Sequence, residues 1–141
     1  MSDPRASVIQ MIQQGWNRGD TTVFTDSIAD AVTFHYAGTP RAVTQEQMSA
    51  IVLQWRAAFP DLNMSIDEII AEGDIIAARL TMSGTHQGEW TGTAPTGRSF
   101  TMALTMFFRF EHGKMVELWE SDDQLGFREQ LGISPFESHD S

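Results

Sequence analysis

The sequence predicts an α+β domain in which helices pack on one face of a curved antiparallel sheet. Two observations predict it. Up to Phe59, apolar residues recur at three- and four-residue steps; after Pro60 the period changes to two. The strand-length runs beyond Pro60 then follow one another with only turns and one loop between them, which makes a meander. With 141 residues, 41% of them hydrophobic, the chain has material for one core, so a single domain over residues 1–141 is expected.

The elements follow in order. Val8, Ile9, Ile12 and Trp16 form one apolar stripe, and Gly15 and Gly19 punctuate its end. A short second helix starts near Asp20, with Val23, Phe24 and Ile28 facing inward, and Ala31 to Tyr36 reads as a short strand. Thr44 with Gln47 three residues on is a capping-box signal. Met48, Ile51, Val52, Trp55 and Phe59 mark the helix that follows, stopped by Pro60. Leu62 to Ala71 and Ile75 to Thr85 read as strands joined at Glu72-Gly73-Asp74. Gln87 to Arg98, broken by Gly88, Gly92, Pro95 and Gly97, is a loop. Ser99 to Glu111 is a long strand, turned at His112-Gly113 into Lys114 to Asp122, and Leu125 to Leu131 is a closing helical turn. Glu137 to Ser141 reads as a frayed tail.

Charge and residue usage exclude several function classes. Nine basic against 19 acidic residues give a net charge of −10, which disfavours nucleic acid and anionic membrane surfaces as partners. The absence of cysteine excludes disulfides, thiolate catalysis and cysteine-ligated metals. No signal-peptide pattern opens the chain and no apolar run approaches ~20 residues, so a cytoplasmic location is expected. Lys114, the only lysine, falls at a hairpin tip, where Schiff-base chemistry has no desolvating pocket. There is no Walker A loop, dinucleotide-binding turn or Gly-x-Ser-x-Gly elbow, and His35, His86, His112 and His139 lack metal-ligand spacing. No metal is expected.

The last hairpin supplies a catalytic candidate. If His112-Gly113 is a two-residue turn, Trp119 opposes Met106, Ser121 opposes Leu104 and Asp123 opposes Met102, on one face with Phe108 and Phe110. A bulge would break that register. Without one, Asp123 ends a strand among apolar neighbours, where desolvation raises a carboxyl pKa and makes it a useful acid/base. The alternative role is an N-cap for the helix near Leu125.

Several segments together carry a family resemblance. They are Ala57-Ala58-Phe59-Pro60-Asp61-Leu62, Gly84 to Trp90, Ala94 to Arg98, Gly113 to Asp123 and Gln130-Leu131-Gly132. The chain resembles the SnoaL-like polyketide cyclases (ester cyclases) of the NTF2-like superfamily over nearly its whole length. The resemblance implies a cone of three helices on a strongly bent antiparallel sheet, a deep apolar cavity, no cofactor, and a homodimer formed through the outer sheet face. It also implies one aspartate at the end of the last strand, Asp123 here, as acid and base in an intramolecular aldol closure. Members that close anthracycline rings carry a histidine on the penultimate strand; Thr101 to Phe110 has none, which makes the anthracycline reaction doubtful.

The expected function is therefore acid/base cyclisation or isomerisation of a small apolar carbonyl compound. Asp123 is the principal catalytic candidate and His86, at a strand end beside the Gly-rich loop, the second. Expected substrate contacts are Trp16, His35, Val52, Trp55, Met82, Met102, Met106 and Trp119. His35 and Tyr36 adjoin on one strand, so only one can face the cavity. Tyr36 is the lone phenol that could donate to an oxyanion, although packing is the commoner role for a strand tyrosine. Arg98 is a candidate for holding a carboxylate or ester at the mouth. The alternatives are a non-catalytic ligand-binding module, or an epoxide hydrolase or isomerase, on the same fold.

Overall fold

The computed structural model describes residues 3–134; the expected tail, 137–141, lies outside them. Helix α1 (Pro4–Gln10) runs into a π-helical stretch (Met11–Trp16), followed by α2 (Thr22–Ser27), β1 (Ile28–Tyr36) and β2 (Thr39–Thr44). Then come α3 (Gln45–Ala58), β3 (Asn63–Glu72), β4 (Ile75–Thr85), β5 (Ser99–Glu111), β6 (Lys114–Asp122) and α4 (Gln124–Leu131). The α+β expectation holds, with one correction to the sheet. Its order is β2-β1-β6-β5-β4-β3, and β1 lies parallel to β6 while the other neighbours are antiparallel. The last strand enters between the first hairpin and the meander, and the chain between β1 and β6 is long enough for a parallel return.

The sequence expectation names no strand between Tyr36 and Thr44; the β2 found there contains Pro40, a residue that a central strand excludes. It is tolerated because β2 is an edge strand, where one face of the backbone needs no donor. The capping box forms as expected: Gln47 N donates to Thr44 Oγ1 at 3.1 Å, and Thr44 N to Gln47 Oε1 at 2.9 Å. The turn between β5 and β6 has positive φ at both His112 and Gly113, as a two-residue turn requires.

A core of buried apolar side chains joins the two layers. Phe59, fully buried at the end of α3, sits within 6 Å (ring centroids) of Trp55, Trp90, Phe100 and Phe127, and 5.4 Å from His86. Asn17 exchanges hydrogen bonds with the Met64 backbone, and Arg56 donates to the carbonyls of Trp16 and Leu62, so the helical layer is tied to the start of β3. Gln130 does the same for α4, accepting from Thr101 N and donating to Thr101 O. The loop from Gln87 to Arg98 folds back on α3, with Gln87 N and Gly88 N both donating to Ala58 O. A side chain at Gly88 would meet Ala57 O at 2.2 Å, so only glycine fits there.

Candidate active site

Between the helices and the inner sheet face lies a cavity of about 260 Å³. Its walls are soft and aromatic. Six of the chain's eight methionines line it (Met11, Met48, Met64, Met82, Met106 and Met115), with Trp16, Trp55 and Trp90 and the rings of Phe24, Phe34 and Phe108. Thioethers adapt to irregular ligand shapes and sit well against aromatic faces. Its polar lining is Tyr36, Arg41, Glu120, Asp122 and Gln124, of which Tyr36, Glu120, Asp122 and Gln124 gather at one end.

The arrangement of that end follows from one extra residue. Glu111 pairs with Lys114 and Phe110 with Met115, as the two-residue turn dictates; from there on Phe108 pairs with Leu118, Met106 with Glu120 and Leu104 with Asp122. Val116 is the bulged residue, and it shifts every later side chain of β6 to the opposite face. Glu120 and Asp122 therefore turn into the cavity and Trp119 turns out, opposite Phe107. Parallel β1 sets Tyr36 beside Glu120.

Tyr36 OH donates to Asp122 Oδ1 at 2.8 Å, and Gln124 Nε2 reaches Asp122 Oδ2 at 3.5 Å. Burial pushes the Tyr36 hydroxyl well above the ordinary phenol range, reinforced by its bond to Asp122, so it remains a donor at neutral pH. Burial also pushes the Glu120 carboxyl up, to about 8, aided by the hydrogen bond it donates to Asp122 and by the charge of that neighbour. Glu120 therefore keeps its proton at neutral pH, and a protonated carboxyl beside a second carboxyl places a proton donor and an acceptor within one site.

A raised pKa has a definite sign in stability. The folded protein keeps a Glu120 proton that the unfolded chain releases above its ordinary value near 4.5, so this stabilisation is full below that pH and is lost as pH rises towards about 8. Glu120→Gln, which stays neutral, is expected to gain on the parent by ~4 kcal/mol between about pH 5 and about pH 9. Urea midpoints of the two proteins at both pH values check this; a constant difference contradicts it.

The candidates expected from sequence divide. Trp16, Trp55, Met82 and Met106 line the cavity as expected. Val52 and Met102 are buried in the core but are not part of its wall. Trp119 and His35 lie on the other side of the sheet, their rings stacked at 4.9 Å, and His35 Nε2 contacts Glu117 Oε2 at 2.6 Å. The bulge accounts for Trp119. For His35 the reason is alternation: it is Tyr36 that points inward. Arg98 packs its guanidinium on Gly132 and does not line the cavity; Arg41 does.

Asp123 is exposed and caps α4, its Oδ1 accepting from Gly126 N at 2.9 Å. A side chain at Gly126 would meet that carboxylate at 2.2 Å, so Asp123 and Gly126 work as one structural unit. The raised-pKa environment expected for Asp123 surrounds Glu120 instead. Asp123→Ala is expected to lose ~0.5–2 kcal/mol in urea unfolding while turnover stays at the parent level; a large loss of turnover in a folded variant would contradict that role.

His86 is fully buried behind the cavity wall, against Phe59. Its Nδ1 accepts from Thr96 N at 3.2 Å, and its backbone pairs with Arg98 O and Gly97 N, which anchors both ends of the Gly-rich loop. Burial pushes its pKa down, opposed by the backbone of Gly88. It supports Trp90's loop from behind and does not face the cavity.

Among the described residues no cluster of three or more His, Cys, Asp or Glu could hold a metal ion, and no helix is long and apolar enough to cross a membrane.

A helical layer over a bent sheet, with two carboxyls among the lining of the cavity between them, defines a class of small cavity-bearing α+β proteins. Residues 6–131 match the SnoaL-like polyketide cyclases, and the chain belongs to that family. It is 30% identical over 138 residues to the aklanonic acid methyl ester cyclase AcmA of Streptomyces galilaeus, covering 94% of this chain and 92% of AcmA. Among solved structures, TsrD of Streptomyces laurentii superposes with a TM-score of 0.80 at 30% identity, covering 95% of this chain and 100% of TsrD. IdmH of Streptomyces antibioticus gives 0.78 at 30% identity, covering 94% and 100%.

Proposed function

We propose that the protein catalyses an aldol-type ring closure of a flat, largely apolar carbonyl compound, with Asp122 and Glu120 as base and acid. The observation that carries this reading is the Tyr36–Asp122–Glu120 group at the polar end of a cavity otherwise walled by methionine and aromatic side chains. Family membership and the relative named as a methyl ester cyclase support it.

The chemistry uses this chain's own groups. The Asp122 carboxylate takes the proton from a carbon flanked by two carbonyls, leaving an enolate. Tyr36 OH spends its one proton on Asp122 at 2.8 Å and so orients that carboxylate for the transfer. The enolate carbon forms the new bond to a ketone carbon of the same molecule, and the Glu120 proton passes to the resulting alkoxide. Asp122 then holds the proton that Glu120 has lost, and transfer between the two restores the starting state. Substrate and product have the same composition, so no oxidant or cofactor enters. The wall's job is to exclude water, which strengthens the charge interactions at that end, and to hold the substrate folded with its reacting carbons close.

The first half of this scheme is testable on its own. An aryl 1,3-dicarbonyl compound incubated with the protein in heavy water should exchange its central C–H faster than in buffer. Binding without accelerated exchange would favour the non-catalytic ligand-binding module instead.

A further inference from the structure

Arg41 is the only arginine or lysine among the described residues lining the cavity. It stands on the edge strand β2, opposite Phe34, with its guanidinium carbon 5.9 Å from the centre of the Phe34 ring. Phe34 in turn stacks on Tyr36, at 6.0 Å between centroids and 15° between planes. Guanidinium, two parallel rings and the Tyr36–Asp122 pair thus follow one another along one wall. The two steps, 5.9 and 6.0 Å, are together comparable to the length of a fused aromatic system lying along that wall.

What sets Arg41 apart is that its guanidinium lines the cavity with no acidic partner. Arg56 is spent on backbone carbonyls, and Arg79 and Arg109 on carboxylates. Among the described residues Arg41 has the Phe34 ring contact and no ion pair, in a chain with 19 acidic residues. A guanidinium offers five N–H donors in a planar fork that matches a carboxylate, and stacking on an aromatic ring pre-organises the fork. An ester has no charge to offer it.

Resting on the carbonyl-substrate reading above, we propose that Arg41 is a specificity residue that pairs with a free carboxylate, at the end of a planar ligand opposite its reacting carbon. The site takes the acid in preference to its ester.

Fluorescence of Trp16, Trp55 and Trp90 reports occupancy of the cavity directly. The probes are anthraquinone-2-carboxylate and its methyl ester, titrated into the parent protein and Arg41→Gln. The parent is expected to bind the acid about tenfold or more tightly than the ester, with the preference shrinking as salt rises. Arg41→Gln should lose the preference while binding the ester as the parent does, which also shows that the variant is folded. Because the protein's net charge of −10 repels an anion, a preference for the acid requires a local cation. Equal binding of acid and ester by the parent would overturn the Arg41 inference and leave the cavity reading standing, as would a preference that survives in Arg41→Gln. If neither probe binds, the cavity reading falls, and the inference with it.

Discussion

Asp122→Asn is expected to slow turnover of a cyclisable 1,3-dicarbonyl compound by ~10²–10⁴-fold, the usual size of a positioned acid/base contribution. The fold should survive. An amide at this position can still accept from Tyr36 OH, which now bonds Asp122 at 2.8 Å, and from the protonated Glu120. What it cannot do is take the proton from carbon. Glu120→Gln leaves the base in place and removes the acid, so its deficit should fall on alkoxide protonation. Exchange of the C–H in heavy water therefore separates the two variants: lost in Asp122→Asn, retained in Glu120→Gln. Groups that act as a unit are non-additive, so the double variant should be little worse than the worse single one. A double loss equal to the product of the single losses would show that the carboxyls act independently.

Phe59→Ala is expected to cost ~3–5 kcal/mol, the largest stability loss of any single substitution considered. Phe59 is fully buried, and its ring touches the systems that form three separate parts of the fold: Trp55 on α3, Phe100 on β5 and Phe127 on α4. Removing it opens a void that none of those rings can fill without abandoning another contact, so the site collapses poorly. Against a total stability of ~5–15 kcal/mol the loss is severe, lowering the thermal midpoint by roughly 10 °C. His86 and Trp90 lean on the same ring, so the Gly-rich loop should loosen first. Amide hydrogen exchange at Gly88 and Thr96 measures that. Unchanged protection there would show that the loop is held by its hydrogen bonds to Ala58 and His86 without the Phe59 ring.

Much of the fold is legible in the sequence because its signals are local. The helix from Gln45 to Ala58 announces itself through the Thr44–Gln47 box and the Met48-to-Phe59 stripe, and the strands after Pro60 through their alternation. What is not legible is topology: nothing in Ile28 to Tyr36 says that its partner is the distant Lys114–Asp122 strand, or that the pairing is parallel. The cavity walls are partly legible, since Trp16, Trp55, Met82 and Met106 are inward positions of well-marked elements. The polar end is not. Expecting apolar residues inside places Trp119 inward and Glu120 and Asp122 outward; the Val116 bulge reverses both, and no residue type there signals it. The site is where the binary pattern is violated, because two carboxyls occupy cavity positions and a tryptophan an outer one. Asp123 carries a strong signal of its own, but an Asp three residues before Gly126 is the signature of a cap.

The claim on which the rest depends is that Glu120 keeps its proton at neutral pH because Asp122 and the cavity hold it there. Its most direct measurement is a carbon-13 NMR titration of the glutamate side-chain carboxyls in the parent and in Glu120→Gln. One resonance, absent from the variant, should stay in its protonated position through neutral pH and titrate near about 8. If every glutamate carboxyl in the parent titrates in the ordinary range around ~4.3, Glu120 does not keep its proton at neutral pH and the acid/base assignment is wrong.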